Sequence, residues 1–251
     1  MTIKSKVVGI IPVRLESSRL PRKALLEISG LPMIIHVYRR CLMAQELDEV
    51  YVATDSEEIK RVVEKYNGKV IMTSSVHETG TDRIAEACQK INAEIIVNIQ
   101  GDEALVNPQY IDLVTKKLLD SPDNDVAILV NPFKKKNSAS DIKVVLNNNE
   151  EILYVSRSDI PYRPTNQSFE GLKVYHIVPF RKDFLIHFSR LEKGILERAE
   201  FNEYLRILEH GYSIKALKVD SDAVSVDTHE DLEYVRKKMV TDPYFQIYQD
   251  Y

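Results

Sequence analysis

The stretch VVGIIPVRLESSRLPRK, Val7 to Lys23, decides the reading of this chain. Its first seven residues, Val7 to Val13, are the continuous apolar run expected of a parallel strand buried on both faces. The next ten carry four cations, Arg14, Arg19, Arg22 and Lys23, together with Ser17, Ser18 and Pro21. A buried strand that ends in such a loop puts positive charge at the carboxyl edge of a sheet, where open α/β sheets take their ligands. Guanidinium forks and an ammonium suit a polyphosphate. Alone, a basic run reads equally well as a solvated surface loop, so the acidic motifs further along carry weight.

Composition narrows the class. A length of 251 residues suits one α/β domain with room for a small lobe. The apolar share of 44% supports a sizeable core, and the charged share of 29% argues against a membrane protein. No apolar run reaches the roughly 18 residues of a spanning helix. The cationic start and short apolar run of MTIKSKVVGIIPV read as a first strand rather than a secretory leader. With 34 Lys plus Arg against 38 Asp plus Glu, neither nucleic acid nor an anionic membrane is expected as partner. Cys41 and Cys88 lack metal-ligand spacing and make no disulfide framework, so a reducing cytoplasm is the expected compartment.

Strand and helix patterns alternate through the first half. Strands are expected at Val7 to Val13, Val50 to Thr54, Lys69 to Met72 and Ile95 to Ile99. Helices are expected at Pro32 to Ala44, from a Ser56 cap to Tyr66, at Thr81 to Ile91 after Gly80, and at Pro108 to Leu119. This alternation predicts a three-layer, mainly parallel α/β sheet. The second half reads as strands at Val126 to Val130, Ile142 to Leu146, Ile152 to Val155 and Val174 to Phe180. One amphipathic helix follows over Ile195 to His210, stopped by Gly211, and a last helix is capped by Thr228.

Two expected strand ends carry acids. In NIQGDE, Asn98 to Glu103, a Gly-Asp pair lets the backbone turn sharply and aims a carboxylate into a cleft; hard oxygen ligands there suit magnesium. In VSVDTHED, Asp227 stands just ahead of the Thr228 cap. Either alone reads as a locally bonded turn; together with the basic loop they are what a metal-assisted nucleotide site requires. HETGTDR, His77 to Arg83, opens a helix whose amides can meet a ligand, although an ordinary cap is the simpler reading of that segment alone. No Ser-His-Asp or Cys-His arrangement, zinc spacing, dinucleotide fingerprint or Walker loop is present.

The segments IIPVRLESSRLPRKAL, GLPMIIHVYRR, VYVATDSEEI, TGTDRIAEA, IIVNIQGDEALV, IKVVL, YVSRSDIPY, LEHGYSIKA and VDTHEDLEYVR run in order over nearly the whole chain. In this they resemble the 3-deoxy-manno-octulosonate cytidylyltransferases, or CMP-Kdo synthetases. The resemblance implies a Rossmann-like nucleotidyltransferase fold of the glycosyltransferase-A-like kind, with a small β-rich lobe for sugar binding and dimerisation. A single domain is then expected, its nucleotide-binding part at about 1–125 and 210–240 and its sugar part at about 126–209. The implied reaction joins CTP and a 2-keto-3-deoxy sugar acid into a CMP-sugar and pyrophosphate, for lipopolysaccharide or capsule synthesis. By motif position Arg14 and Lys23 bind the triphosphate, assisted by Ser17 and Arg19, while Thr81 and Gln100 belong to the cytidine pocket. Asp102 and Asp227 hold magnesium, with Arg14, Lys23 and Asp102 acting in catalysis. Arg157, Glu200 and Glu203 hold the sugar acid. A homodimer is implied too.

The chain departs from the family pattern at particular places. Arg22 stands where the family has glycine, and Ala104 where it has proline. Val174 replaces a sugar-contacting histidine, with His176 two positions later, and Tyr204 stands where glutamine is common. The nucleotide half is therefore better preserved than the sugar half. A site built to hydrogen-bond particular hydroxyls discriminates strongly when a polar partner changes, so the expected acceptor is Kdo or a variant of it. The alternatives are a sialic- or legionaminic-like acid, or a silent nucleotide-binding protein of the same fold.

Overall fold

The seven residues Val7–Val13 form strand β1, and all seven are buried. Alternate side chains of a strand point to opposite faces, so an unbroken buried run requires cover on both sides of the sheet. The structure, a computed structural model, describes residues 5–17, 20–133, 135, 137–162, 170–221 and 224–250. The chain divides into two units, one of Met1–Asp112 with Asp222–Tyr251 and the other of Leu113–Ser221.

In the first unit β1 is followed by a 3-10 turn (Lys23–Leu25) and a small hairpin, β2 (Glu27–Ile28) and β3 (Leu31–Pro32). Ser29 and Gly30, both at positive φ, make its turn, the geometry that matches strand twist in two-residue hairpins. Then come α1 (Met33–Cys41), β4 (Glu49–Thr54), α2 (Glu57–Lys65), β5 (Val70–Met72), α3 (Gly80–Cys88), β6 (Ile95–Ile99) and α4 (Pro108–Leu119), whose residues from Leu113 on are counted with the second unit. β6, β1, β4 and β5 lie side by side in that order, all parallel. The expected parallel α/β architecture is borne out. α1 and α3 pack on β1 and β4. The Ser56 hydroxyl caps α2 by accepting from Ile59 N at 3.3 Å.

The second unit holds β7 (Ala127–Phe133), β8 (Lys143–Leu146), β9 (Ile152–Ser156), β10 (Gly171–Tyr175), β11 (Ile177–Arg181), α5 (Lys182–Phe188), α6 (Ile195–Glu200), α7 (Tyr204–Glu209) and β12 (Lys215–Lys218). Its mixed sheet runs β12-β7-β10-β8-β9, with only β12 and β7 parallel. Two expectations need correction here. The apolar run Val174 to Phe180 is two strands, because the chain bends at His176, whose Nδ1 lies 3.0 Å from the Tyr204 hydroxyl. The helix expected over Ile195 to His210 is two short helices. Phe201 takes the left-handed conformation (φ 49°) and ends α6, and the Asn202 side chain accepts from Tyr204 N at 2.9 Å. The stop at Gly211, with φ 81°, is as expected.

Back in the first unit, α8 (His229–Met239) starts on a reciprocal capping box between Thr228 and Asp231, and α9 (Phe245–Tyr248) follows. The aromatic tail packs on its own chain. Phe245 and Tyr248 are buried, and the Tyr244 hydroxyl donates to Asn107 Oδ1 at 3.0 Å. His36, fully buried in α1, lies 2.7 Å by Nε2 from Ile28 O and 2.9 Å by Nδ1 from the Tyr248 hydroxyl. A carbonyl only accepts, so Nε2 carries the proton and Nδ1 accepts from Tyr248. Arg40 donates to the same hydroxyl through Nε at 3.2 Å and pairs with Asp242. Burial pushes the imidazole from 6.5 down to about 4, against the opposing pull of the Ile28 hydrogen bond.

This neutral histidine predicts an acid limit to stability. Below pH 6.5 the unfolded chain takes up a proton that the folded chain refuses until about pH 4. The contribution is whole above pH 6.5 and is lost as pH falls towards 4, on the order of 3 kcal/mol in total. Urea unfolding between pH 7 and 4 should show this slope, and His36→Gln should flatten it.

Candidate functional site

The carboxyl ends of β1 and β6 set out the site in the first unit. β1 delivers Pro12 and Val13 and then the loop of Arg14 and Ser17, and the 3-10 turn after it begins at Lys23. β6 ends in Gln100, Gly101 and Asp102. A Cβ on residue 101 would meet Val13 Cγ2 at 2.7 Å and Pro12 O at 3.2 Å. Only glycine lets the two strand ends approach this closely.

Asp227 comes from the chain's return. Val226 N donates to Asp102 O at 3.1 Å, the Ser225 hydroxyl bonds the buried Glu103 carboxylate, and Asp227 N donates to Asp231 Oδ2 of the α8 capping box at 3.1 Å. These bonds bring two carboxylates that are remote in sequence to one ammonium. Lys23 Nζ is 2.7 Å from Asp102 Oδ2 and 3.2 Å from Asp227 Oδ1. The three side chains are 18%, 25% and 31% exposed respectively. Burial alone would lower the Lys23 pKa, but the charges of Asp102 and then Asp227 outweigh it and raise the value above the usual 10.5. The lysine is a cation across the neutral range.

Arg14, Ser17, Lys23, Gln100, Asp102 and Asp227 line one cavity of about 290 Å³. Gln100 Nε2 donates to Asn98 Oδ1 at 3.2 Å. Arg19 lies outside the described residues. Thr81 is buried and is not among the lining residues. In α3 its neighbours Thr79, Gly80 and Arg83 form the wall instead. Residues three and four apart share a helix face, and Thr81 lies on another.

Arg83 and His77 are the cavity residues that sequence reasoning passed over as part of an ordinary cap. The Thr79 side chain does cap α3, accepting from Asp82 N at 3.1 Å. Arg83, although buried, reaches the cavity and is held by Thr73 Oγ1 at 2.6 Å and Asp55 Oδ1 at 3.3 Å. His77 Nε2 is 2.5 Å from Glu86 Oε2, which also accepts from Ser74 N at 2.9 Å. A histidine and an arginine six residues apart around a Gly-Thr helix start were the available signal.

In the second unit Arg157 and Glu200 hold each other. Glu200 accepts from Arg157 N at 2.8 Å and from the Ser156 hydroxyl at 2.6 Å. The Arg157 guanidinium donates to the carbonyls of Glu200 (3.0 Å), Ala139 (2.8 Å) and Phe201 (3.2 Å). Glu203 stands at the residue before α7, three beyond Glu200, without a side-chain capping bond. The three expected sugar-site residues are thus gathered around one turn, with much of the guanidinium spent on fixing that turn.

Residues 8–218 match the family model for cytidylyltransferases. The chain belongs to the cytidylyltransferase family. The 3-deoxy-manno-octulosonate cytidylyltransferase of Chlorobium phaeobacteroides is 41% identical over 244 residues, spanning 95% of this chain and 99% of that protein. The enzyme of the same name from Escherichia coli is 40% identical over 94% of this chain and 96% of its own length. A solved CMP:2-keto-3-deoxy-manno-octonic acid synthetase complexed with CTP superposes with a TM-score of 0.91 at 40% identity, covering 94% of this chain and 99% of that one. A cytidylyltransferase from Leptospira borgpetersenii, at 17% identity and a TM-score of 0.65, shares the fold. This cytidylyltransferase is a nucleotidyltransferase by family and by fold.

The close approach at Gly101 is testable. Gly101→Ala should destabilise the cytidylyltransferase by about 1–3 kcal/mol, the range for overpacking, and displace Asp102. Urea unfolding checks the first effect and turnover the second.

Proposed function

We propose that this enzyme transfers the cytidylyl group of CTP to the anomeric hydroxyl of 3-deoxy-manno-octulosonate, or a near variant of it, releasing pyrophosphate. The product is an activated sugar acid for lipopolysaccharide or capsule assembly. One observation carries the reading. Asp102, Asp227 and Lys23 meet in a single cavity whose wall also holds Arg14, Ser17 and Gln100, in a chain 40% identical to a synthetase complexed with CTP.

The donor set fits magnesium. Two carboxylates already converge on one cationic atom, and a few hard protein oxygens plus substrate phosphates are how magnesium is commonly held. Asp102 and Asp227 would hold it, and bound there it would polarise the α-phosphate and lower the pKa of the attacking hydroxyl. The protein's own part is positioning and charge. Arg14, Ser17 and Lys23 gather the triphosphate, and Gln100 faces the cytidine. The sugar hydroxyl gives up its proton to solvent and its oxygen bonds to the α-phosphorus as the bond to pyrophosphate breaks. The electron pair leaves on pyrophosphate, whose charge Arg14 and Lys23 offset. Arg157 and Glu200 fix the turn that carries Glu203, and these residues receive the sugar acid.

A second reading, an altered acceptor, is favoured by the His176–Tyr204 pair. Tyr204 stands where the family pattern has glutamine, His176 lies two positions after the Val174 that replaces its histidine, and the two rings stack with centroids 6.0 Å apart. Two further properties belong to the proposal. A cytoplasmic location suits the thiols of Cys41 and Cys88, neither of which is in a disulfide; no described helix is long and apolar enough to cross a membrane. A homodimer would use the exposed apolar Leu153, Ile195 and Phe201 of the second unit, and light scattering should return twice the chain mass.

Pyrophosphate release with CTP and magnesium tests the central reading. Asp102→Asn should lower kcat on the order of 100-fold or more; near-normal turnover would remove Asp102 from its role. Arg157→Met should raise KM for the sugar acid and leave KM for CTP nearly unchanged. In a panel of Kdo, amino-substituted and other 2-keto sugar acids, Kdo turnover comparable to the best acid would exclude the altered acceptor.

A further inference from the structure

We propose that Lys23 and the divalent cation compete for Asp102 and Asp227, so that cation binding releases the lysine ammonium to the triphosphate. The inference rests on the reading of those carboxylates as metal ligands and adds a second role for Lys23. In the structure the ammonium does not reach outward as a ready phosphate ligand. It sits between the two carboxylates, 2.7 Å from Asp102 Oδ2 and 3.2 Å from Asp227 Oδ1, on a side chain only 18% exposed. It thus holds one oxygen of each carboxylate that the metal reading assigns to the cation.

The carboxylates have little freedom to serve both partners. The Val226 N to Asp102 O bond and the Asp231 cap on Asp227 N fix their backbones. Lys23 is the adjustable member, a point charge on a flexible four-carbon stem. Two carboxylates carry two negative charges. The ammonium cancels one and a divalent ion cancels both. Ammonium and metal on the same oxygens would repel strongly even in a partly solvated site. The exchange follows from charge balance. A metal–nucleotide complex brings both the ion that displaces the ammonium and the phosphates that accept it. Between visits the lysine offsets part of the charge of the two carboxylates. Binding of metal and of nucleotide is then coupled, each favouring the other by the same factor.

The test is manganese binding without nucleotide, followed by the EPR signal of the free ion. Wild type, Lys23→Met, Lys23→Arg and Asp102→Asn are compared. Lys23→Met removes the internal competitor and should bind manganese about tenfold tighter or more, as expected for one unit charge deleted beside a partly exposed site. Lys23→Arg keeps the charge and should stay near wild type. Unchanged or weaker binding by Lys23→Met, with wild-type binding abolished by Asp102→Asn, overturns the exchange and leaves the metal site standing. Manganese binding indifferent to Asp102→Asn overturns the metal reading, and the exchange with it.

A measurement on the wild-type enzyme covers the case in which the methionine variant does not fold. Reductive methylation of Lys23, read by peptide mass spectrometry, should accelerate severalfold when saturating manganese is added without nucleotide. An unchanged or slower rate at saturation overturns the proposal.

Discussion

The Lys23 ammonium between Asp102 and Asp227 is the interaction on which the first unit's architecture turns. Bringing two carboxylates together in a half-buried place is unfavourable unless a cation joins them. The fold supplies that cation from the loop after β1 and the carboxylates from two other parts of the chain. Parallel strands end on the same edge of a sheet, so the β1 loop and the Gly101–Asp102 turn arrive together without further instruction. The third contributor is tied in by Val226 N to Asp102 O and by the Ser225 hydroxyl to the Glu103 carboxylate. The Thr228–Asp231 box then starts α8 immediately beyond Asp227. The cap that starts α8 therefore also holds the backbone of Asp227, whose carboxylate meets Lys23.

The second unit solves a related problem with other means. Its candidate sugar residues lie around a turn between two helices of only six residues each, too short to be stable alone. Polar bolts hold them. Glu197 and Arg206 form a buried two-point pair at 2.7 and 2.5 Å, with the guanidinium lying over the Phe188 ring. The Glu209 carboxylate caps α6 from α7, accepting from Leu196 N and Glu197 N. The fully buried Lys143 ammonium bonds the carbonyls of Ser138, Asp141 and Arg157. Such networks fix geometry more than they add net stability, which is what a turn presenting Glu203 needs.

Legibility in the sequence followed the range of the signals. Buried strands such as Val7–Val13 and Ile95–Ile99 are plain because a continuous apolar run in a βαβ pattern has few other uses. The caps at Ser56 and Thr228 are plain because capping is local chemistry. The break at Phe201 is not. A phenylalanine is a poor candidate for a left-handed residue, and the apolar spacing continues through the two helices as if they were one. The bend at His176 is hidden in the same way, since strands on both sides of it are equally apolar. α5 and β12 went unassigned because short elements depend on tertiary packing rather than on propensity. At the site, residue types identified the carboxylates and the basic loop. They were silent on the partner each would choose, and so the Lys23 bridge needed coordinates. Arg83 was missed for the opposite reason, since a buried arginine held by Thr73 and Asp55 looks in sequence like one more exposed helix charge.

Arg22 shows how differently the two halves tolerate change. It stands where the family pattern has glycine, and it takes the left-handed conformation (φ 56°, ψ 31°) that glycine adopts freely. For a residue with a Cβ that conformation costs about 1–2 kcal/mol. Its ion pair with Glu58 joins side chains 58% and 36% exposed, and a pair so open to solvent offsets only part of that cost. Arg22 is held in that conformation by the turn it belongs to, closed by Lys23 N to Leu20 O at 3.1 Å and Leu25 N to Arg22 O at 2.9 Å. The change at residue 22 is thus one of local backbone strain. His176 and Tyr204 are of another kind, because each puts a polar atom against the other at 3.0 Å. Replacing backbone freedom alters energy, whereas replacing polar partners alters what a site recognises. Divergence of this second kind falls in the second unit, which holds His176 and Tyr204, while Arg22, a change of the first kind, falls in the first unit.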